Sequence, residues 1–154
     1  MSALLPKPQQ GATLIEVLIA IVVLSIGLLG LAGLQVTSMQ SNHSAYYRSQ
    51  ATLLAYDLAD RMRTNRTAAQ ASAYVFAYPT SSSSTNTVSG TTAQKDKAEW
   101  LNNLALTLPD GMGKVEQAGT LVTISVQWND NRGRIKATAD TATPSETFVY
   151  RTEI

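Results

Sequence analysis

The sequence predicts an α+β fold in which one long N-terminal helix packs on a small antiparallel β-sheet. An uncharged apolar run from Val17 to Val36 is followed by apolar residues at helical spacing from Tyr47 to Met62. Apolar and polar residues then alternate from Thr120 to Trp128, which is the period of a half-buried strand. A helix with one apolar stripe needs a covering partner, and a sheet of the same chain can supply it.

The apolar run has the length of a membrane span. Its twenty residues would cover roughly 30 Å as a helix, the thickness of a hydrocarbon core. A cleavable secretory signal is the alternative, since Gly30 and Ala32 supply small residues for a peptidase, but the run exceeds the roughly 7–15 residues of a signal core. Lys7 before the run and Arg48 after it only weakly favour a cytoplasmic N-terminus.

The helical pattern continues beyond the membrane-length run. No proline occurs between Pro8 and Pro79, so we expect one helix from about Ala12 to about Arg66. Its second half carries an apolar stripe with charged residues opposite. The stripe consists of Tyr47, Ala51, Leu54, Ala55, Leu58 and Met62, and the charged residues are Arg48, Asp57, Asp60, Arg61 and Arg63.

The C-terminal part predicts short elements. Thr80–Thr92 is a polar, low-complexity loop, and the apolar Ala73–Tyr78 before it should pack. Ala93–Leu106 is predicted as a helix whose apolar side carries Trp100, Leu101, Leu104 and Leu108. Thr120–Trp128 and Glu146–Ile154 are predicted strands, Asn129–Gly133 a turn, and Arg134–Thr138 a further short strand.

The composition argues against several kinds of chemistry. The 154 residues include 12 Lys and Arg against 11 Asp and Glu, no cysteine, and one histidine. A disulfide, a thiol nucleophile and a His-rich metal site are therefore excluded. Gly111-Met112-Gly113-Lys114 lacks the spacing of a phosphate loop and is better explained as a helix-to-strand turn. Asn129-Asp130-Asn131 lacks the glycine and glutamate of a calcium loop and fits a β-turn.

No catalytic constellation or cofactor site is predicted, and the remaining polar candidates have ordinary explanations. His43 should be solvated. Arg132, Arg134 and Lys136 alternate and could contact DNA, but a charged strand edge that discourages aggregation is the preferred explanation. Asn42-His43-Ser44 and Asn65-Arg66-Thr67 match glycosylation sequons, which are too short to carry weight.

One charge stands alone in the apolar helix. Glu16 follows Gly11-Ala12-Thr13-Leu14-Ile15, and a carboxylate at the centre of a membrane helix costs roughly 2.5–3.5 kcal/mol. Gly11 to Glu16, followed by an uncharged run, resembles the processing motif of type IV prepilins. TLIEVLIAIVVLSIGLLGLAGLQ with the later LADRMRTNR, AEWLNNL and VTISVQW is most similar to the PilV-type minor pilins.

This resemblance implies a type IV pilin-like fold and a role for each N-terminal residue. A prepilin peptidase would cut after Gly11 and methylate the new amine of Ala12, where the family commonly carries phenylalanine or methionine. Glu16 would then pair with the N-terminal amine of a neighbouring subunit during assembly. Gly27, Gly30 and Gly33 would allow helix packing or bending.

The implied organisation has three parts: a leader over residues 1–11, a membrane and assembly segment over residues 12–36, and a periplasmic globular domain over residues 37–154. The protein would be held in the bacterial inner membrane with its N-terminus in the cytoplasm, and would then join other minor and major pilins in a filament. Two alternatives stay open: a minor pseudopilin of type II secretion, which shares the N-terminal motif, and a membrane-anchored periplasmic binding module or enzyme.

Overall fold

The computed structural model describes residues 13–131 and 145–154, and confirms the α+β fold. Its helices are α1 (Leu14–Thr64), α2 (Arg66–Gln70) and α3 (Thr92–Thr107), and its strands are β1 (Met112–Ala118), β2 (Leu121–Asn129) and β3 (Ser145–Glu153). The chain divides into two units, Met1–Ser38 and Met39–Ile154, and α1 contributes to both.

In the first unit, α1 is apolar and uncovered. Among the described residues it is long and apolar enough to cross a membrane, and its most apolar window has no buried residue. Leu18, Leu29 and Leu34 are each more than 60% exposed. Since water would disfavour so much exposed apolar surface, this half needs lipid or other protein around it.

In the second unit, α1 buries the predicted stripe. Ala51, Ala55, Leu58 and Met62 are fully buried, and Tyr47 and Leu54 pack against the core at its edge. Ala51, Ala55 and Ala59 lie at every fourth position and contribute short side chains to the core. The helix–sheet packing follows directly from the 3.6-residue period.

The sheet has three antiparallel strands in the order β1-β2-β3. Register pairs Val115 with Ile124 and Ile124 with Tyr150, so these side chains share the face that builds the core. The alternation predicted for β2 holds for its apolar side chains, since Val122, Ile124, Val126 and Trp128 are buried, but Ser125 on the opposite face is buried as well. Both predicted strands lie within one residue of the observed ones.

Helix α3 seals the other side of the core through Trp100. The indole Nε1 donates to the Leu54 carbonyl of α1 at 2.7 Å, and the ring packs against Phe76. A Cβ at Gly113 in β1 would collide with this ring, so glycine permits the close approach of strand and helix. The predicted apolar side of α3 is confirmed, with Trp100, Leu104 and Leu108 buried.

The segment between α2 and α3 is attached at both ends. Phe76 exchanges two backbone hydrogen bonds with Val115 on the free edge of β1, which confirms that Ala73–Tyr78 packs. Within the polar loop, Asn86 and Asn102 exchange hydrogen bonds between 2.7 and 3.1 Å. The loop is therefore irregular but fastened to α3.

Three local features differ from the sequence expectations. The helix predicted to reach Arg66 ends at Thr64, and α2 follows after Asn65. β1 begins inside the Gly111–Lys114 stretch that was expected only as a turn. Asp130 is buried and accepts a hydrogen bond from the Ser44 hydroxyl at 2.8 Å, so it anchors the strand end to α1 in addition to starting the turn.

Several predicted features lie outside the described residues. They are the leader, Gly11, Ala12, the strand Arg134–Thr138 and the basic residues Arg132, Arg134 and Lys136.

Candidate assembly site on the N-terminal helix

Glu16 lies in the first turn of α1. Its backbone N–H donates to the Thr13 carbonyl at 3.0 Å and to the Thr13 hydroxyl at 3.3 Å. Its side chain is exposed, and it is the only charged residue between Leu14 and Ser38. The carboxylate thus stands at the positive end of the helix dipole, in otherwise apolar surroundings.

Two hydroxyl groups of this half are satisfied within the helix. The Ser25 hydroxyl donates to the Ile21 carbonyl at 2.7 Å, and the Thr37 hydroxyl donates to the Gly33 carbonyl at 3.1 Å. Such bonds one turn back suit a medium without water, where an unsatisfied donor is costly.

The three glycines have open surroundings. A Cβ placed at Gly27, Gly30 or Gly33 would meet no atom within 4 Å beyond the local helix backbone. Contacts among the residues that the structure describes therefore give no reason for glycine there. α1 is one continuous helix through all three positions.

Comparison with known families shows what this chain is similar to. Residues 6–32 match the prokaryotic N-terminal methylation motif, and residues 33–100 match the family described as type IV pilin Tt1218. The chain is therefore similar to prepilins at its N-terminus and to type IV pilins over the residues that follow. Searches of curated proteins and of solved structures found no match.

The pilin match extends from the apolar half of α1 to Trp100. It therefore includes the buried stripe, α2, the polar loop and most of α3. In the glycine-rich stretch Gly111–Lys114, Lys114 pairs with Glu116 at 2.9 Å, and Gly111 packs against the Leu104 carbonyl. The stretch leads into strand β1.

A polar cluster at the C-terminal end of α1 was missed by the sequence reasoning. Arg61 forms ion pairs with Asp57 at 3.1 Å, Asp96 at 3.3 Å and Glu99 at 2.7 Å. The hydrogen bond that Arg61 donates to the Glu99 carboxylate is the main reason that the pKa of Arg61 is raised. Buried Tyr74 donates to Asp96, and burial together with that bond raises its pKa to about 12. Through Asp96 and Glu99, the cluster joins α1 to α3.

A second missed feature is an exposed apolar row on α1. Met39, Tyr46 and Leu53 follow one another at seven-residue spacing, and their exposed fractions are 61%, 55% and 61%. A period of seven places them along one helix face, away from the buried stripe. The seven-residue spacing is present in the sequence, although the stripe from Tyr47 to Met62 already accounts for the amphipathic pattern of this half.

The other polar candidates have local partners or stay exposed. His43 is exposed as predicted, with its ring 6.4 Å from that of Tyr47. Asn65 of the second sequon donates to the Tyr74 hydroxyl at 3.1 Å. In residues 13–131 and 145–154 there is no cluster of three potential metal ligands.

Proposed function

We propose that this chain is a minor pilin of the PilV type, which takes part in the assembly, priming or function of a type IV pilus. Prepilin peptidase cuts after Gly11 and methylates the new amine at Ala12. The observation that carries the proposal is Glu16: a single carboxylate in the first turn of an uncovered apolar helix, four residues after Ala12.

Pairing energy explains why such a carboxylate would drive assembly. Held in lipid without a cation, it costs roughly 2.5–3.5 kcal/mol. The ammonium created at Ala12 of a neighbouring subunit would neutralise it in the filament. Because the pair forms only at one axial offset between helices, it also sets the register of the subunit.

The rest of α1 supplies the surfaces for this packing. Gly27, Gly30 and Gly33 present no side chain, so another helix can approach the backbone there. The row of Met39, Tyr46 and Leu53 offers further apolar surface to neighbouring major or minor pilins. Moving from lipid to such a filament changes the apolar surroundings little.

Before assembly, the subunit would be stored in the bacterial inner membrane with its N-terminus in the cytoplasm and its globular domain in the periplasm. The length and composition of α1 support this arrangement. The match to a type IV pilin family over residues 33–100 favours the pilus over the type II secretion system. DNA binding is not part of the proposal.

Replacement of Glu16 tests the pairing. Glu16→Ala and Glu16→Gln both remove the charge, so both proteins should insert into the membrane at least as well as wild type. Their amount in sheared filaments relative to membranes should fall several-fold. Intact-mass measurement should still show a mature chain that starts at Ala12 with one added methyl group.

Gly11→Val is the matched control for processing, because a bulky residue should exclude the peptidase and leave the full-length precursor in the membrane. Wild-type filament ratios in both Glu16 variants would refute the pairing. A mature N-terminus elsewhere than Ala12 would refute the pilin pathway itself.

A further inference from the structure

Thr13 immediately precedes α1 and has the geometry of a helix N-cap. Its hydroxyl accepts from the Glu16 N–H at 3.3 Å, and its carbonyl accepts from the Val17 N–H at 3.2 Å. Thr13-Leu14-Ile15-Glu16 also has the T-x-x-E spacing of a capping box, in which the glutamate side chain accepts from the backbone N–H of the cap residue.

The complete form of this arrangement occurs elsewhere in the same chain. At the start of α3, the Thr91 hydroxyl accepts from the Gln94 N–H at 3.4 Å, and the Gln94 Oε1 accepts from the Thr91 N–H at 2.9 Å. Thr13 and Glu16 have the same spacing and already form the first of these two bonds. α3 also shows that an amide oxygen is a sufficient acceptor.

Lipid makes such a cap more valuable at α1 than at a solvated helix. The first N–H groups of a helix have no carbonyl in a preceding turn, and hydrocarbon offers no water to replace one. A hydroxyl at Thr13 and a carboxylate at Glu16 are the polar side chains within the first turn that can accept from these groups.

We propose that Thr13 is a positioning residue for Glu16: it caps α1, and its backbone N–H donates to the Glu16 carboxylate in the stored subunit. The carboxylate then has a local donor before a neighbouring ammonium is present, and it is held at the end of the helix where that ammonium arrives. The consequence for assembly rests on the proposed function, whereas the cap itself does not.

Site-resolved amide hydrogen exchange on the full chain in detergent micelles tests the cap. Thr13→Val keeps the shape of the side chain and removes the hydroxyl acceptor, but it leaves the Thr13 carbonyl, which also accepts from the Glu16 N–H at 3.0 Å. The Glu16 N–H should therefore exchange about twofold faster. Thr13→Ser should restore the wild-type rate. Glu16→Ala should accelerate exchange of the Thr13 N–H by a similar factor, and Glu16→Gln should not.

If the Glu16 N–H of Thr13→Val exchanges at the wild-type rate, the cap is overturned. If the Thr13 N–H exchanges at the same rate in Glu16→Ala and Glu16→Gln, the reciprocal bond is overturned. In cells, Thr13→Val should reduce the filament-to-membrane ratio and Thr13→Ser should rescue it, with cleavage verified by mass. A normal ratio in Thr13→Val despite faster exchange would overturn the positioning role. Unchanged filament ratios in both Glu16 variants, with the exchange pattern intact, would instead refute only the pairing between subunits.

Discussion

Replacing Leu58 with alanine should remove a large part of the stability of the globular domain. Leu58 is fully buried where α1 meets the sheet, and the substitution deletes three carbon atoms. At about 0.8 kcal/mol for each buried CH₂, the transfer term alone is about 2.5 kcal/mol. The cavity left behind raises the expected loss to about 3–4 kcal/mol, since strands and helix cannot collapse fully around alanine.

Urea unfolding of a soluble fragment that starts at Gln35, followed by circular dichroism, would measure this loss. Leu53→Ala is the matched control: it makes the same chemical change on the same helix, but Leu53 is 61% exposed. We expect a change within about 0.5 kcal/mol there. Similar losses in the two variants, or a loss below about 1 kcal/mol for Leu58→Ala, would contradict the packing of this stripe on the sheet.

Two further outcomes follow from the same domain. Gly113→Ala should destabilise the fragment by about 1–3 kcal/mol, because the added Cβ collides with the rigid Trp100 ring, and a wild-type urea midpoint would show that the ring can move aside. For Tyr74, the folded pKa of about 12 lies above the ordinary value of 10. Its contribution to the free energy of unfolding is therefore complete below pH 10 and is lost as pH rises through 12. This loss of stability should reach about 2 kcal/mol at pH 12, and it should be missing from the pH profile of Tyr74→Phe. Equal pH profiles of unfolding free energy for the wild type and Tyr74→Phe would refute the raised pKa.

Periodicity explains which parts of the fold could be predicted. The stripe on α1 and the alternation in β2 each repeat over many residues, so errors at single positions do not obscure them. β1 offers no such signal, because Met112-Gly113-Lys114 lacks β-branched residues and contains a glycine. Its place in the sheet follows from its pairing with β2 over Met112–Ala118, and no local pattern reveals that pairing.

The polar contacts were beyond sequence reasoning for a different reason. Tyr74 lies 22 residues from Asp96, and Ser44 lies 86 residues from Asp130. At such separations, pairing depends on how the elements pack, and any of the other hydroxyls or carboxylates was an equal candidate. The T-x-x-E spacing at Thr13, in contrast, is local, and it was readable once the helix start was known to be Leu14.

The two halves of α1 meet different physical requirements. Variants in one half should therefore have different effects from variants in the other. Between Leu14 and Ser38 the helix is apolar and uncovered, and in a medium without water its polar groups would need partners within the helix, such as the bonds of Ser25 and Thr37. Between Met39 and Thr64 the helix must fit against the rest of the core, and Ala51, Leu58 and their neighbours provide the matching side chains. Glu16 variants should therefore alter filament incorporation without altering the melting of the globular domain, while Leu58→Ala should do the reverse as long as the domain stays folded. Both halves belong to one helix. A variant in either half that changed both the filament incorporation and the melting of the globular domain would therefore contradict this separation.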